Sequence, residues 1–388
     1  MPWKSVRMTD FRHGLPRRKK GENRSIALAG SMSAGISAMK AHMDALTTVG
    51  NNVANVNTYG YKPGRITFKE SIYSTQAAGS NGTETLGGTN PRQTGYGCSV
   101  GTIDLDMSTV NMESTGNARD AGIQGDGFFL LGDKNGVGLG PYTGLMLSKV
   151  GDFRVDANGY ITDGYGNIVY GFATCNAEKG ADGKVTKKEE AGPSGEAIST
   201  QLVPLRLPLA AKEADKPTGA KVGDAIFPGA KANDKNVYGD YEGNPPISYN
   251  SLSIGADGKI TCNNDKTGDP VVVGYIALAT VTNPSGLTHT EGPYYKAMEG
   301  CGDMSVFAPN GSLAGQYLNN AEGTDKATME TMLGEGGPAL LPGFLEASGT
   351  DLASEFSNMI IYQRGYQANT RIVTVTDTML EELVNMKR

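Results

Sequence analysis

Glycine-rich and acidic stretches are the first places in this sequence where chemistry could occur. The segment "GDGFFLLGDKNGVGLG" (125–140) has the closely spaced glycines of a phosphate-binding loop, and "DANGYITDGYG" (156–166) has oxygen ligands arranged somewhat as in a calcium loop. A phosphate loop needs a strand, the glycines and a helix in that order, which the first segment lacks. In the second, Gly159 comes too early and the closing glutamate is missing. Hairpin turns explain both segments, so we expect no cofactor.

The histidines and cysteines do not form a metal-binding pattern. The histidines are His13, His42 and His289, and the cysteines are Cys98, Cys175, Cys262 and Cys301. Zinc ligands usually occur in closely spaced pairs, and this chain has no CxxC, so we predict no metal site and favour free thiols. The acidic residues are scattered, without a nucleophile or an acid–base pair that stands out. The sequence therefore does not predict an enzyme.

Composition and charge favour a turn-rich β protein. Hydrophobic residues make up 38% of the 388 residues, below the usual ~45 to 50%, and the chain has 54 glycines. The formal net charge is −6, although residues 1–24 carry eight basic side chains against two acidic ones. We interpret 1–24 as a disordered extension, not a nucleic-acid site, because aromatic residues are sparse there. The sequence shows neither a membrane-spanning stretch nor a secretory signal, so membrane insertion is not expected.

Both ends of the chain predict long amphipathic helices, at 25–58 and 346–388. Near the N-terminus, apolar residues recur at every third or fourth position, which places them on one helix face. They are Met32, Ile36, Met39, Met43, Leu46, Val49, Val53 and Val56. Near the C-terminus, two columns recur every seven residues, as in a coiled coil. They are Leu352, Met359, Tyr366, Val373 and Leu380, and beside them Phe356, Gln363, Thr370, Asp377 and Val384.

Four asparagines, Asn51, Asn52, Asn55 and Asn57, crowd the end of the first helix. Asparagine is a mediocre helix former because its amide competes for backbone hydrogen bonds. One interpretation is that these amides cap a fraying helix end. The other is that the helix faces of both termini form a polymerisation interface, in which amides fix the register between subunits while apolar side chains supply burial.

The middle of the chain predicts strands separated by tight turns such as Asn158-Gly159 and Asp257-Gly258. Alternating or continuous apolar runs, among them "GFFLLG" and "PVVVGYIALATV", fit between these turns. The predicted fold class is therefore α+β, in which N- and C-terminal helices form a coiled-coil-like axial domain and mainly-β middle domains project outward.

Several motifs together resemble the flagellar axial proteins, the family of rod and hook subunits. "GNNVANVNTYGYKPGR" (50–65) is similar to the N-terminal signature of that family, and the segment from 351 to 388 is similar to its C-terminal signature. "STGNARDAGIQGDGFFLL" (114–131) and "VGDFRVDANGYITDGYGNIVYGF" (150–172) resemble its central motifs, and "IALATVTNPSGL" (276–287) resembles a segment of hook proteins.

This resemblance implies a structural protein that polymerises with itself into a hollow helical tube at the cell surface. It implies export through the flagellar type III apparatus, and contacts with distal rod, hook cap and hook–filament junction proteins. The large insertion at 173–275 favours the flexible hook, which transmits torque from motor to filament, over the distal rod. A secreted β-rich binding module or adhesin is a more distant alternative.

The expected domains follow from these signals. They are a basic extension (1–24), an axial domain built from the terminal helices (25–58 and 346–388), a connecting segment (59–97), an inner β domain (98–172 and 276–345) and an outer β domain (173–275). Because the family usually begins near Leu28, translation could start there, and the extension would then be missing from the mature protein.

Overall fold

The computed structural model of the chain describes residues 20–82, 87–133, 145–175, 177–179, 185–187, 197–198, 202–207, 209–210, 225–226, 252–263, 270–309 and 338–386. Of the extension predicted to be disordered (1–24), residues 1–19 lie outside the described residues. Residues 20–24 belong to the first helix. Within the described residues, no helix is long and apolar enough to cross a membrane. The same residues contain no cluster of histidine, cysteine and acidic side chains suited to a metal ion.

The chain divides into two compact units. The first contains the described parts of Met1–Asn51, Gly64–Asp104 and Leu352–Arg388, and the second contains Asn52–Pro63 and the described parts of Leu105–Asp351. The elements of the first unit are α1 (Lys20–Ala54, whose last residues fall in the second unit), β1 (Gly64–Glu70), β2 (Tyr73–Ala77), β3 (Arg92–Gly95), β4 (Cys98–Leu105) and α2 (Leu352–Asn385).

The second unit is built from strands. They are β5 (Met112–Ser114), β6 (Ala121–Gln124), β7 (Phe128–Gly132), β8 (Met146–Ser148), β9 (Phe153–Val155), β10 (Ile161–Asp163), β11 (Ile168–Cys175), β12 (Ala177–Lys179), β13 (Val185–Lys187), β14 (Ala197–Ile198), β15 (Val203–Pro204), β16 (Leu209–Ala210), β17 (Ala225–Ile226), β18 (Ser253–Ile254), β19 (Lys259–Asn263), β20 (Pro270–Ile276), β21 (Leu278–Val281), β22 (Thr288–His289), β23 (Tyr294–Lys296), β24 (Met304–Phe307), β25 (Ala339–Pro342) and β26 (Phe344–Glu346). Two 3-10 turns, Pro284–Gly286 and Glu299–Cys301, follow β21 and β23.

In the first unit, α1 and α2 run antiparallel beside a long β-hairpin. Pairing of β1 with β4 and of β2 with β3 joins the described residues between 64 and 105 into this hairpin. Its Phe68 ring lies 5.6 Å from the ring of His42 on α1 and 6.0 Å from the ring of Tyr362 on α2. Strand β4 lies in the segment 98–172 that was predicted as β structure, whereas β1, β2 and β3 were not predicted, since the sequence suggested only a connecting segment for 59–97.

In the second unit, a large sheet follows the strand order β18-β19-β20-β11-β7-β8-β23-β22. The central strand β7 is buried along its whole length. Phe129 and Leu131 belong to one hydrophobic cluster, whereas Phe128 and Leu130 belong to another. Because successive side chains of a strand point to opposite faces, the unbroken run "FFLL" results from burial on both faces of the sheet.

The α+β class, with terminal helices and a mainly-β middle, is confirmed. The domain limits stay a prediction. Of the segment assigned to the outer β domain (173–275), the described residues Leu205, Leu252 and Ile260 pack in the same cluster as Phe129. Those residues therefore contribute to the core of the large sheet.

A glycine within α2 generates the first prediction. A Cβ added at Gly365 would lie 2.7 Å from Cε1 and Nε2 of the His42 ring. We expect Gly365→Ala to destabilise the protein, although alanine is worth about 1 kcal/mol more than glycine within an unobstructed helix. In the double variant with His42→Ala the space is open, so alanine at 365 should then be favourable. Urea unfolding of the variants measures the change of sign.

Gly50 provides the matched control, because it lies in α1 and a Cβ there would meet nothing within 4 Å. Gly50→Ala should stabilise the protein by roughly 0.5 to 1 kcal/mol. If Gly365→Ala were as stabilising as Gly50→Ala, the close contact with His42 would be refuted.

Two buried tyrosines generate a prediction on alkaline stability. Burial and the hydrogen bond to Asp163 raise the pKa of Tyr294, and burial together with the nearby Tyr61 and Glu346 raises the pKa of Tyr295. Above about pH 10 the unfolded chain loses tyrosine protons that the folded chain keeps, so the free energy of unfolding should fall as pH rises. The slope should reach about 1.4 kcal/mol per pH unit for each tyrosine.

Urea unfolding between pH 8 and 11.5 measures this slope. The variant Tyr295→Phe should flatten it, whereas Tyr96→Phe, at an exposed tyrosine, should not. Equal slopes in the two variants would contradict the assignment to Tyr295.

Candidate assembly surface

Several of the buried residues of α1 are small. Gly35 and Ala41 are buried, and Ala45 is 0% exposed. A Cβ added at Gly35 would lie 3.0 Å from Cγ2 of Val373 on α2. The absence of a side chain at Gly35 therefore lets α2 approach α1 closely at this point.

Most of the large apolar residues of α1 are less buried than these small residues. Met43 is 54% exposed. Val49 is buried, whereas the other predicted apolar interface residues of α1 are half-buried: Met32, Ile36, Met39, Leu46 and Val53. The apolar stripe that the sequence shows most clearly is therefore only partly used within the chain.

The two predicted columns of α2 contain both half-buried and exposed positions. Thr370 donates a hydrogen bond to Sδ of Met39 (3.3 Å). Half-buried positions are Met359, Thr370, Val373 and Leu380, and exposed positions are Leu352, Phe356, Gln363, Tyr366 and Asp377. The exposed subset, with Leu352, Phe356 and Tyr366 as its apolar members, forms one flank of α2.

A second exposed apolar flank of α2 was not predicted. Its large members are Ile361, Ile372, Val375, Met379 and Met386, with exposures of 47 to 76%. The spacings within this set bring all five to one face of the helix. The seven-residue repeat of Ile372, Met379 and Met386 was a signal in the sequence, but the β-branched run 372–376 obscured it. We call this set the second flank.

The asparagines at the end of α1 have different environments. Asn52 is buried, and its Oδ1 accepts a hydrogen bond from the Tyr61 hydroxyl at 3.0 Å. Thr58 donates to Oδ1 of Asn55 at 3.2 Å, whereas Asn51 and Asn57 are exposed. Asn52 therefore stabilises the turn after α1 within its own chain. The role predicted for the asparagines in polymerisation stays a prediction.

A buried ion pair joins the segment after α1 to the segment before α2. Nζ of Lys62 lies 2.7 Å from Oε1 of Glu346, with side-chain exposures of 0% and 1%. Lys62 also donates to the carbonyl oxygen of Ser108 at 2.7 Å, and the backbone N–H of Val110 donates to the same Glu346 oxygen at 3.1 Å. We call Lys62, Glu346 and these two backbone partners the clasp. It was not predicted, because 284 residues separate the charged groups.

Backbone hydrogen bonds reinforce the clasp on both sides. The N–H of Gly60 donates to the carbonyl oxygen of Glu346 at 2.8 Å, and the N–H of Gly349 donates to that of Tyr61 at 3.0 Å. Gly60 has φ +68°, and a Cβ there would lie 2.7 Å from Cγ2 of Val150, so glycine is required for both conformation and space.

A second buried lysine lies near the clasp. Lys149 is 2% exposed, lies 5.0 Å from the centroid of the Phe128 ring and donates a long hydrogen bond of 3.4 Å to the carbonyl oxygen of Gly125. Burial lowers the pKa of Lys149, the charge of Lys62 lowers it further, and the charges of Glu346 and Asp126 oppose that change. Glu346 thus pairs directly with Lys62, and its charge also favours the protonated form of Lys149.

This arrangement is suited to holding chain segments together, not to catalysis. Among the described cysteines, Cys98 is half-buried, and Cys262 and Cys301 are buried. Cys175 lies in β11, but its side chain is outside the described part. Among the described residues, the exposed sides of the two helices carry most of the exposed large apolar side chains, beside others such as Ile72 and Tyr165.

Comparison with known families matches both ends of the chain. Residues 32–62 match the family described as "Flagella basal body rod protein", and residues 341–386 match "Flagellar basal body rod FlgEFG protein C-terminal". The first match contains most of α1 and Lys62, and the second contains Glu346 and α2. Both charged residues of the clasp therefore lie within the matched segments.

Curated relatives match over nearly their whole length. The chain is 32% identical to the flagellar basal-body rod protein FlgG of Bacillus subtilis, over 92% of this chain and 99% of that protein. It is 28% identical to the flagellar hook protein FlgE of Borreliella burgdorferi, over 92% and 99%. It is 25% identical to the hook protein FlgE of Salmonella typhimurium, over 92% and 100%. The chain therefore belongs to the flagellar rod and hook protein family and is a structural subunit of the flagellum.

Proposed function

We propose that this chain is a subunit of the flagellar hook that polymerises with itself through the exposed flanks of α1 and α2. The tube that it forms is hollow and flexible, and it couples the rod to the filament so that torque is transmitted. Its neighbours at the two ends of the tube are the distal rod, the hook cap and the hook–filament junction proteins. The subunit reaches the cell surface through the flagellar type III export apparatus.

The observation that carries this proposal is the apolar surface that the helix pair leaves in water. Met43 on α1 and the second flank on α2 are large, flexible or branched apolar side chains with high exposure. Contiguous exposed apolar surface of this kind is typical of sites that bind another protein. Identical copies that join through different faces form an open helical assembly, which is the geometry of a tube.

The choice between hook and distal rod depends on the sequence relatives and on the insertion 173–275. Hook and rod relatives each match 92% of this chain, so coverage does not separate them. What supports the hook is the segment 173–275, which supplies the large insertion expected of a hook subunit. The higher identity, 32%, to a rod protein favours the distal rod as the second candidate. In either place the subunit is structural, and a catalytic role is not part of the proposal.

Substitution on the second flank tests self-assembly. Met379→Glu places a charge where we expect an apolar contact between copies, and burial of an unpaired charge is unfavourable. The concentration needed for tube formation should rise at least tenfold, which corresponds to about 1.4 kcal/mol. Sedimentation and negative-stain electron microscopy of purified protein measure this concentration.

Thr378→Glu is the matched control, because it adds the same charge at the neighbouring exposed position of α2 and outside both flanks. It should assemble as the wild type does, and circular dichroism should show equal helix content for both variants. Equal assembly of the two variants would contradict the interface, and a stable monomer at all concentrations of wild type would favour the binding-module alternative.

Immunogold labelling of detached flagella tests the place of assembly. With an antibody against the segment 173–275, gold should decorate the short curved segment between basal body and filament. Labelling restricted to the straight shaft after removal of the envelope would assign the chain to the rod. The label should be lost from a strain that lacks this chain.

A further inference from the structure

We propose that the clasp makes the chain segment after α1 (52–63) dock only together with the segment that ends the second unit (338–351). Lys62 acts as a positive charge that cannot be buried until Glu346 arrives. The clasp is thus a device that sets the order of folding. It operates in the single chain, so it does not depend on the proposed polymerisation.

Burial of Lys62 imposes an electrostatic constraint on docking. Lys62 is fully buried, and Glu346 is the carboxylate that lies against it at 2.7 Å. Removal of an ammonium group from water without an anion is strongly unfavourable, whereas a paired and hydrogen-bonded ammonium is tolerated. Segment 52–63 therefore gains little from docking on the sheet before residue 346 is in place.

The neighbouring lysine, Lys149, adds a second electrostatic constraint. Lys149 is also buried, with Gly125 as its hydrogen-bond acceptor. The groups that act on it are Glu346 and Asp126, of opposite charge, and Lys62, of like charge. Before Glu346 arrives, docking of Lys62 would bring two buried ammonium groups together. Their repulsion adds to the barrier against early docking.

The topology of the chain also delays formation of the clasp. Gly60 and Tyr61 bond to Glu346 and Gly349, and Ala347 bonds to Asn111. Strands β25 and β26 pair with β6 and β5. The clasp thus closes a chain loop of 284 residues, and such closure has a large entropic cost. The local pairings of the sheet, such as β7 with β8, need no such closure and can form first.

Pulsed hydrogen exchange during refolding of the full chain, read out by peptide mass spectrometry, tests the device. In the wild type, peptides from 52–63 and from 344–351 should gain protection with one common time constant, slower than peptides from 128–132. Earlier protection of 52–63 than of 344–351 would overturn the proposal.

Two variants separate a folding-order device from an ordinary contact. In Glu346→Gln, the amide oxygen can still accept from Val110, but Lys62 loses its counter-charge, so protection of 52–63 should slow about tenfold or more relative to 128–132. In Lys62→Met/Glu346→Gln the charge that needed a partner is gone, and protection of 52–63 should be faster than in the single variant. An ordinary contact would give a further slowing in the double variant, and that result would overturn the proposal.

Asp163→Asn is the matched control, since Asp163 is another buried carboxylate of the second unit, held by the backbone N–H groups of Tyr165 and Asn167. It should leave the ratio of the two protection rates unchanged. If Glu346→Gln fails to fold, comparison of the wild type with the double variant still tests the proposal. In the wild type, 52–63 and 344–351 should gain protection together. In the double variant, 52–63 should gain protection before 344–351, and a common time constant there would overturn the proposal.

Discussion

Close approach of α1 and α2 at two glycines, Gly35 and Gly365, decides how the helix pair of the first unit packs. On α1, Gly35, Ala41 and Ala45 are buried, whereas most of the larger apolar residues are half-buried and Met43 is 54% exposed. The helix pair therefore leaves part of its large apolar surface in water, where a polymer can use it. Met43 of α1 and Met379 of α2 belong to this surface. Gly365, which is unfavourable for an isolated helix, fits this design because the His42 ring occupies the space a side chain would need.

The second unit meets a different constraint, because it must join chain segments that lie at its opposite ends in sequence. Its sheet is buried on both faces at β7, which explains the stability of the middle without explaining how the ends are held. The ends are held by the clasp, in which the Glu346 carboxylate forms an ion pair with Lys62. The charge of the same carboxylate also opposes the lowering of the Lys149 pKa. A buried ion pair of this kind adds little net stability compared with apolar packing, but the loss of one partner is costly. Such a pair suits a role in specificity, because it distinguishes the complete arrangement from incomplete ones.

The sequence predicted features that depend on short-range pattern and missed those that depend on distant partners. Periodicity gave the two helices, and turn pairs with apolar runs gave the strands, because both signals lie within a few residues. The seam was predicted at the larger apolar residues, since hydrophobicity alone ranks Met43 above Ala45. The clasp could not be predicted, because its charged groups lie 284 residues apart and only the fold brings them together. Strands β2 and β3 were missed for another reason, since they are short, polar and mostly exposed. The family resemblance, by contrast, was visible in ordered motifs along the chain and is confirmed.

The central claim is that the apolar flanks left in water by the helix pair are the surfaces that identical subunits bury against each other. Methionine oxidation followed by mass spectrometry tests it most directly, with the wild-type protein compared as monomer and as assembled tubes. Met43 and Met379 are 54% and 52% exposed in the single chain, and Met298, outside both helices, is 57% exposed. The account predicts that assembly protects Met43 and Met379 while Met298 is oxidised as before. Oxidation of Met43 and Met379 at the same rate in tubes and monomers would contradict it.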